Sequence, residues 1–248
     1  MKVSIITVTY NSESTVEDTI KSVVNQDYQD IEYIIIDGLS TDSTLAIVNR
    51  YKNKIAKIIS EKDNGIYDAI SKGISMASGD VVVALNSDDM YASNNIISKV
   101  VALFKQTHTD VVYGDLNYVD RHDTSKIIRK WRSGEYKKGL FLKGWMPPHP
   151  TFFARKTCYE KYGSFNLSLR SSADYELMLR FIHKHEVMVA YLPMLIVNMR
   201  AGGQSNVSFK NRYKANQEDK KAWEINGLKP GLLTLIRKPL SKIKQYFQ

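Results

Sequence analysis

The chain has a single cysteine, Cys158. That excludes an internal disulfide framework and any zinc site built from several thiolates. No apolar run approaches the roughly 18 residues needed to cross a bilayer. The opening stretch from Met1 to Val8 is too short for a signal peptide's apolar region and lacks a small-residue cleavage site. These absences fit a reducing cytoplasm. No Gly-x-Gly-x-x-Gly follows the first apolar run, where Thr9-Tyr10-Asn11-Ser12 stands instead, so a dinucleotide dehydrogenase is disfavoured. Prolines number six, and three of them crowd around His149, so the segment from Lys143 to Phe153 cannot be helical. Repeats and low-complexity tracts are missing too.

Charge of one sign is scarce over most of the chain. The net charge is +9. From Gln204 onward there are ten Lys or Arg against three acids, leaving 25 against 23 in the first 203 residues. A nearly neutral body argues against a nucleic-acid binder, and the basic end is suited to an anionic surface.

What the chain does have is alternation. Val3 to Thr9, Ile31 to Ile36, Ile55 to Ser60 and Val81 to Leu85 are short, β-branched apolar runs, which read as buried strands. Helical spacing lies between them: Val16, Ile20, Val23 and Val24, then Leu45, Ile47 and Val48, then Ile66 to Met76. Strand and helix in turn through about residue 105 predict a mostly parallel sheet with right-handed crossovers. A chain of 248 residues with 43% hydrophobic content is expected to form one domain. Ligands of such sheets bind beyond the carboxyl ends of the strands. Polar residues stand at four of those ends: Tyr10-Asn11, Asp37-Gly38, Glu61 to Asp63, and Asn86 to Asp89. Beyond Asp110 further strands are expected at Val111 to Asp115, Ile127 to Trp131 and Val187 to Leu192. Helices are expected over Ser171 to His183, Phe209 to Asn226 and Leu232 to Phe247.

Asp88 and Asp89 are adjacent like charges, a costly pair that a divalent cation relieves. Hard cations such as Mg2+ or Mn2+ take carboxylate and diphosphate oxygens together. The alternative is that the two acids cap and start the next helix. Asp174 and Glu176 fall in the first turns of the helix expected from Ser171, where the helix dipole favours acids.

Five segments in order resemble the family-2 glycosyltransferases of the GT-A fold. They are Ser4 to Asn11, Asp37 to Thr44, Asp63 to Ala69, Asn86 to Asp89 and Ser172 to Leu177, within residues 1–205. Asn86 stands where many members carry Asp, and Ser71 where many carry Asn. The resemblance implies a Rossmann-like α/β fold with residues 1–110 binding a nucleotide-sugar donor and 111–205 binding the acceptor. Residues 206–248 would be a basic helical extension. In the donor half, Thr9 and Tyr10 would border the base and Asp37 would accept a hydrogen bond from it. Asp63 and Lys72 would face the nucleoside and diphosphate, though Lys72 also reads as a solvated helix lysine. Asp88 and Asp89 would hold Mn2+ or Mg2+. Asp174 would be the general base of an inverting transfer.

His149 would line the acceptor pocket or complete the metal site, or serve a structural turn. Arg200 and Ser205 would sit in a loop closing on the diphosphate. Trp131 and Trp145 would stack on sugars or pack in the core. The acceptor is expected to be a glycan or lipid-linked saccharide, as in bacterial surface polysaccharide synthesis. Peripheral membrane contact at the inner face would come through the basic end. The rivals are a polyprenyl-phosphate sugar synthase and a catalytically silent nucleotide-sugar binder.

Overall fold

The computed structural model describes residues 1–202, 209–231 and 233–241. The expected alternation is there. Strands β1 (Val3–Thr9), β2 (Ile31–Asp37), β3 (Lys57–Ser60) and β4 (Val81–Ala84) are joined by helices α1 (Val16–Val24), α2 (Thr44–Arg50) and α3 (Ile66–Met76). β1 lies between β2 and β4, and β3 borders β2, all parallel.

The period of two along these strands builds two cores. Val3, Ile5, Tyr33, Ile35, Val81 and Val83 face one side, against Val16 and Ile20 of α1, Val48 of α2, and Val100 and Phe104 of α4 (Ile96–Thr107). Ile6, Val8, Ile34, Ile36 and Val82 face the other side, against Ala69, Ile70 and Ile74 of α3. Strands buried on both faces read as continuous apolar runs, which is why they were visible in the sequence.

The second half departs from the parallel plan. It supplies β6 (Val111–Val119), β7 (Ile127–Trp131), β8 (Phe153–Arg155) and β9 (Val189–Arg200). β8 runs antiparallel to both β4 and β6, β9 runs parallel to β6, and β7 pairs antiparallel with β6 alone. The sheet is therefore mixed, with order β3-β2-β1-β4-β8-β6-β9-β5. β5 (Asp89–Tyr91) settles one open reading, because it pairs antiparallel with the far end of β9. Asp88 thus ends the turn and Asp89 begins a short strand, and neither caps a helix; α4 starts only at Ile96.

Helices α5 (Lys156–Tyr162) and α6 (Ala173–Met178) cover the second core. α6 continues as a π-turn over Leu179–Lys184, where the Arg180 side chain reaches back to the carbonyls of Tyr162, Gly163 and Ser164. α7 (Phe209–Ile225) and α8 (Thr234–Ser241) follow, with Trp223 fully buried on the α6 side. Thr234 donates to the Leu142 carbonyl, and Lys238 pairs with Asp219 at 2.7 Å, so α8 turns one face onto the body. No helix among the described residues is long and apolar enough to cross a membrane.

Candidate active site

The ends of β1 and β2 are laced together by side chains of their own loops. Asn11 and Leu39 both adopt left-handed backbone, at φ of 46° and 63°. Asparagine tolerates that region through local hydrogen bonds. Here the Asn11 carbonyl oxygen accepts from the Thr41 amide at 2.9 Å, and Ser40 Oγ accepts from the Asn11 amide. Asp37 is fully buried, and its carboxylate accepts from the Ser40 amide, Ser40 Oγ and Ser60 Oγ. These bonds tie the end of β2 to the 38–43 loop and to the last residue of β3.

Three strand ends meet at Gly38. A Cβ there would fall 2.5 Å from Asp63 Oδ2 and 3.6 Å from the Tyr10 ring. The missing side chain is what lets Asp63 and the exposed Tyr10 face the same space. Thr9, just before, is buried with Oγ1 unpaired among the described residues. Asp63 accepts from the Gly65 amide, and Gly65 holds φ at +116° with open space around it. The Lys72 ammonium donates to the Lys62 carbonyl and pairs with Glu61 at 2.9 Å, bracing the 61–65 loop.

The carboxylates after β4 sit in a low-dielectric wall. Burial raises the Asp88 carboxyl above its usual range, with its own backbone amide, Arg121 and Arg200 opposing. Burial pushes Asp89 well up, and the Asp88 charge adds to it. Asp89 Oδ2 accepts from Asn86 Nδ2 at 3.2 Å, while Oδ1 has no partner among the described residues. Asn86 therefore takes up a structural role beside Asp89.

Arg200 was expected in a mobile loop. It is instead the last residue of β9 and only 5% exposed. One guanidinium nitrogen donates to the Asp88 carbonyl at 3.0 Å and the other pairs with Asp18 at 2.5 Å. It underpins the acidic turn. Ser205 lies outside the described residues.

Asp174 occupies the first turn of α6. Its Oδ1 accepts from Tyr67 Oη at 3.1 Å and from the Tyr175 amide at 2.8 Å. Tyr67 stacks on Phe165, whose ring meets His149 edge-on at 5.5 Å. Burial lowers the His149 proton affinity and Asp174 opposes it, so the two are electrostatic neighbours. Tyr118 of β6 lies opposite Met199 of β9, which pairs in turn with Asp89 of β5. Burial raises its hydroxyl, Arg129 counters, and the charges of Asp89 and Asp174 both reach it.

Glu176, the other acid in the first turns of α6, is closed off. It is 1% exposed, paired with Arg180 at 2.9 Å and bonded to Asn226. Trp145 donates to the Ser133 carbonyl within a cluster of Tyr113, Tyr136 and Phe141, and Trp131 packs on the first core. Both tryptophans hold the fold together. Tyr67 and Arg129 were not singled out from the sequence. Tyr67 stands inside a segment that resembled the family, and its partner is 107 positions away.

Two groups of carboxylates are thus in place, the pair after β4 and Asp174 at the start of α6. The model of glycosyl transferase family 2 matches residues 4–163. The chain belongs to that family. This family-2 glycosyltransferase is 27% identical over 208 residues to a PGL/p-HBAD biosynthesis glycosyltransferase of Mycobacterium tuberculosis, covering 82% of this chain and 78% of the relative. It is 32% identical over 180 residues to an uncharacterized glycosyltransferase of the same species, covering 72% and 68%. Among solved structures it resembles TarS of S. aureus, residues 1–349 in complex with UDP, with a TM-score of 0.68 at 20% identity over 93% of this chain and 68% of that one. It also resembles the mannosyltransferase PcManGT of Pyrobaculum calidifontis in complex with GDP-Man and Mn2+, with a TM-score of 0.67 at 17% identity over 96% and 68%. The fold of this glycosyltransferase is GT-A.

Proposed function

We propose that the chain moves a sugar from a nucleoside-diphosphate sugar to a hydroxyl of a saccharide or lipid-linked saccharide, with inversion. One observation carries the assignment of roles. Of the two carboxylates in the first turns of α6, Glu176 is buried and neutralised by Arg180, whereas Asp174 is partly exposed and holds only a tyrosine hydroxyl and an amide. Asp174 would accept the acceptor hydroxyl's proton as that oxygen attacks. The new glycosidic bond then forms as the anomeric bond to the diphosphate breaks, and a single displacement inverts the centre. Tyr67 would orient Asp174 through its hydrogen bond.

The donor reading rests on the strand ends gathered around Gly38, and on neighbours solved with UDP, UDP-GlcNAc and GDP-Man. The acceptor reading rests on the relative's role in PGL/p-HBAD biosynthesis.

The residues at the end of β4 fit a divalent cation. Asp89 Oδ1 is buried without a partner, Asp88 stands beside it, and the proton affinities of both are raised by burial. No group of three His, Cys, Asp or Glu ligands exists among the described residues. The two carboxylates would thus supply one side and the donor's phosphates the other. When bound, Mn2+ or Mg2+ supplies Lewis-acid stabilisation of the leaving diphosphate.

Asp174→Asn tests the assignment. Asn keeps the Oδ1 that accepts from Tyr67, so fold and nucleotide-sugar affinity should stay as in the wild type. Transfer should fall by roughly two to four orders of magnitude, the usual loss for an acid-base group. Turnover within a few-fold of wild type would refute the role.

A further inference from the structure

Tyr67, inside the segment that matches the family, holds the Asp174 carboxylate, but the residues that hold the chain on either side of Asp174 come from α7, beyond that segment. α6 lacks a cap of its own: Ser172 precedes it, yet makes no side-chain bond to the helix start. Its hydroxyl donates instead to the Ala215 carbonyl of α7. The amides just ahead of α6 would be left without acceptors. Glu218 supplies them from the same helix. Its Oε2 accepts from Ser171 at 2.7 Å and Ser172 at 3.0 Å, and its Oε1 accepts from Arg170 at 3.2 Å. Such charge-assisted bonds are roughly twice as strong as neutral ones.

The other end of α7 grips the residues after Asp174. Trp223 Nε1 donates to Tyr175 Oη, and Asn226 donates to Glu176, both at 2.9 Å. Positions 170–172, 175 and 176 are therefore all fixed by one helix. Only Asp174 among its neighbours turns toward Tyr67, and the Glu218 charge reaches that tyrosine as well.

We infer that Glu218 is a positioning residue for sugar transfer, which clamps the start of α6 and so sets where the Asp174 carboxylate meets the acceptor. The inference rests on the general-base reading of Asp174. A displacement of about 1 Å in a reacting group can cost around a hundredfold in rate. The bonds of Glu218 go to residues 170–172, so donor affinity should not feel their loss.

The test compares Glu218→Ala, Glu218→Asp and Glu218→Gln with Asp174→Asn in the full chain. Turnover per folded molecule and the Kd of a nucleotide sugar are measured for each. Ala removes the carboxylate, and Asp is one methylene too short to reach three amides. Both should lose about ten- to a hundredfold in kcat, with donor Kd within twofold. Gln keeps the reach and one strong acceptor, and should restore kcat to within about fivefold.

Wild-type kcat in the Ala and Asp variants would overturn the inference. So would a parallel loss of donor affinity. Failure of both to fold while Gln folds would also overturn it, because Glu218 would then be a plain structural support. If instead Asp174→Asn transfers sugar normally, the base assignment falls, whatever the Glu218 variants do.

Discussion

Gly73→Ala sets two effects of opposite sign against each other. In an open helix the change stabilises by about 1 kcal/mol, since glycine forfeits backbone freedom when it folds. Position 73 is not open. A Cβ there would lie 2.4 Å from Ile6 Cγ2, with Cγ1 at 3.2 Å and Cδ1 at 3.3 Å. All three atoms belong to a β-branched residue of the central strand β1, fully buried and paired on both sides, with Ile34 and with Ala84. Cγ2 is attached directly to Cβ, so no simple swing of the side chain clears it.

Overpacking of this kind costs typically 1–3 kcal/mol. A contact as close as 2.4 Å belongs in the upper half of that range, about 2–3 kcal/mol, so subtracting the helix gain leaves a net loss of about 1–2 kcal/mol. With a urea slope near the upper end of the usual range, about 3 kcal/mol per molar, the midpoint should drop by roughly 0.5 M. Equilibrium urea unfolding by circular dichroism measures it. The double variant Ile6→Ala with Gly73→Ala should lose less than the sum of the single losses, as the new methyl partly fills the space vacated. An unchanged or raised midpoint in Gly73→Ala would refute the close-approach argument. α3 also carries Tyr67, so the single variant should lower transfer as well.

Three further outcomes are expected. Gly38→Ala should displace the Asp63 carboxylate, weakening nucleotide-sugar binding by about tenfold in titration calorimetry while the urea midpoint stays nearly unchanged. Wild type should bind a nucleoside diphosphate more tightly with Mn2+ than without, and Asp89→Asn should abolish that difference; equal wild-type affinity in both conditions would remove the metal from the mechanism. Glu32 is buried, which opposes its ionisation, yet hydrogen bonds from Ser4 and Ser78 and the charge of Lys2 hold it down at about 2 against an ordinary 4.5. A carboxyl lowered on folding stabilises the fold above pH 4.5, and that contribution disappears as pH falls toward 2. The stability gap between wild type and Glu32→Gln should therefore be at most about 3 kcal/mol near neutrality and should close over that acid window.

Much of the first half could be read from the sequence because its strands are buried on both faces. β1 and α3 lie where the apolar runs and helical spacing put them. β5 could not be read, being three residues long and headed by an acid. It exists only because Met199, Asn198 and Val197 of β9 lie opposite. β9 itself was read short, since its last residues alternate with polar ones and are held by β6 and β5. Asp174 stood in a recognisable segment, but its surroundings did not. Tyr67 and Glu218 reach its neighbourhood across long sequence separations, where no local spacing points to them. Arg200 next to two glycines looked like a loop residue; its buried bonds to Asp18 and the Asp88 carbonyl are tertiary facts.

The pairing of β5 with β9 bears on recombining this enzyme with its relatives. The proposed donor and acceptor halves suggest cassettes that could be exchanged at about residue 110. Yet the acidic turn of the first half is anchored at the far edge of the sheet, on a strand made from the last part of the second. A graft cut at residue 110 would import Asp88 and Asp89 without the β9 that orients them and without the arginine beneath them. Exchange of sugar specificity by chimera should succeed only when the segment through Arg200 travels with the donor half.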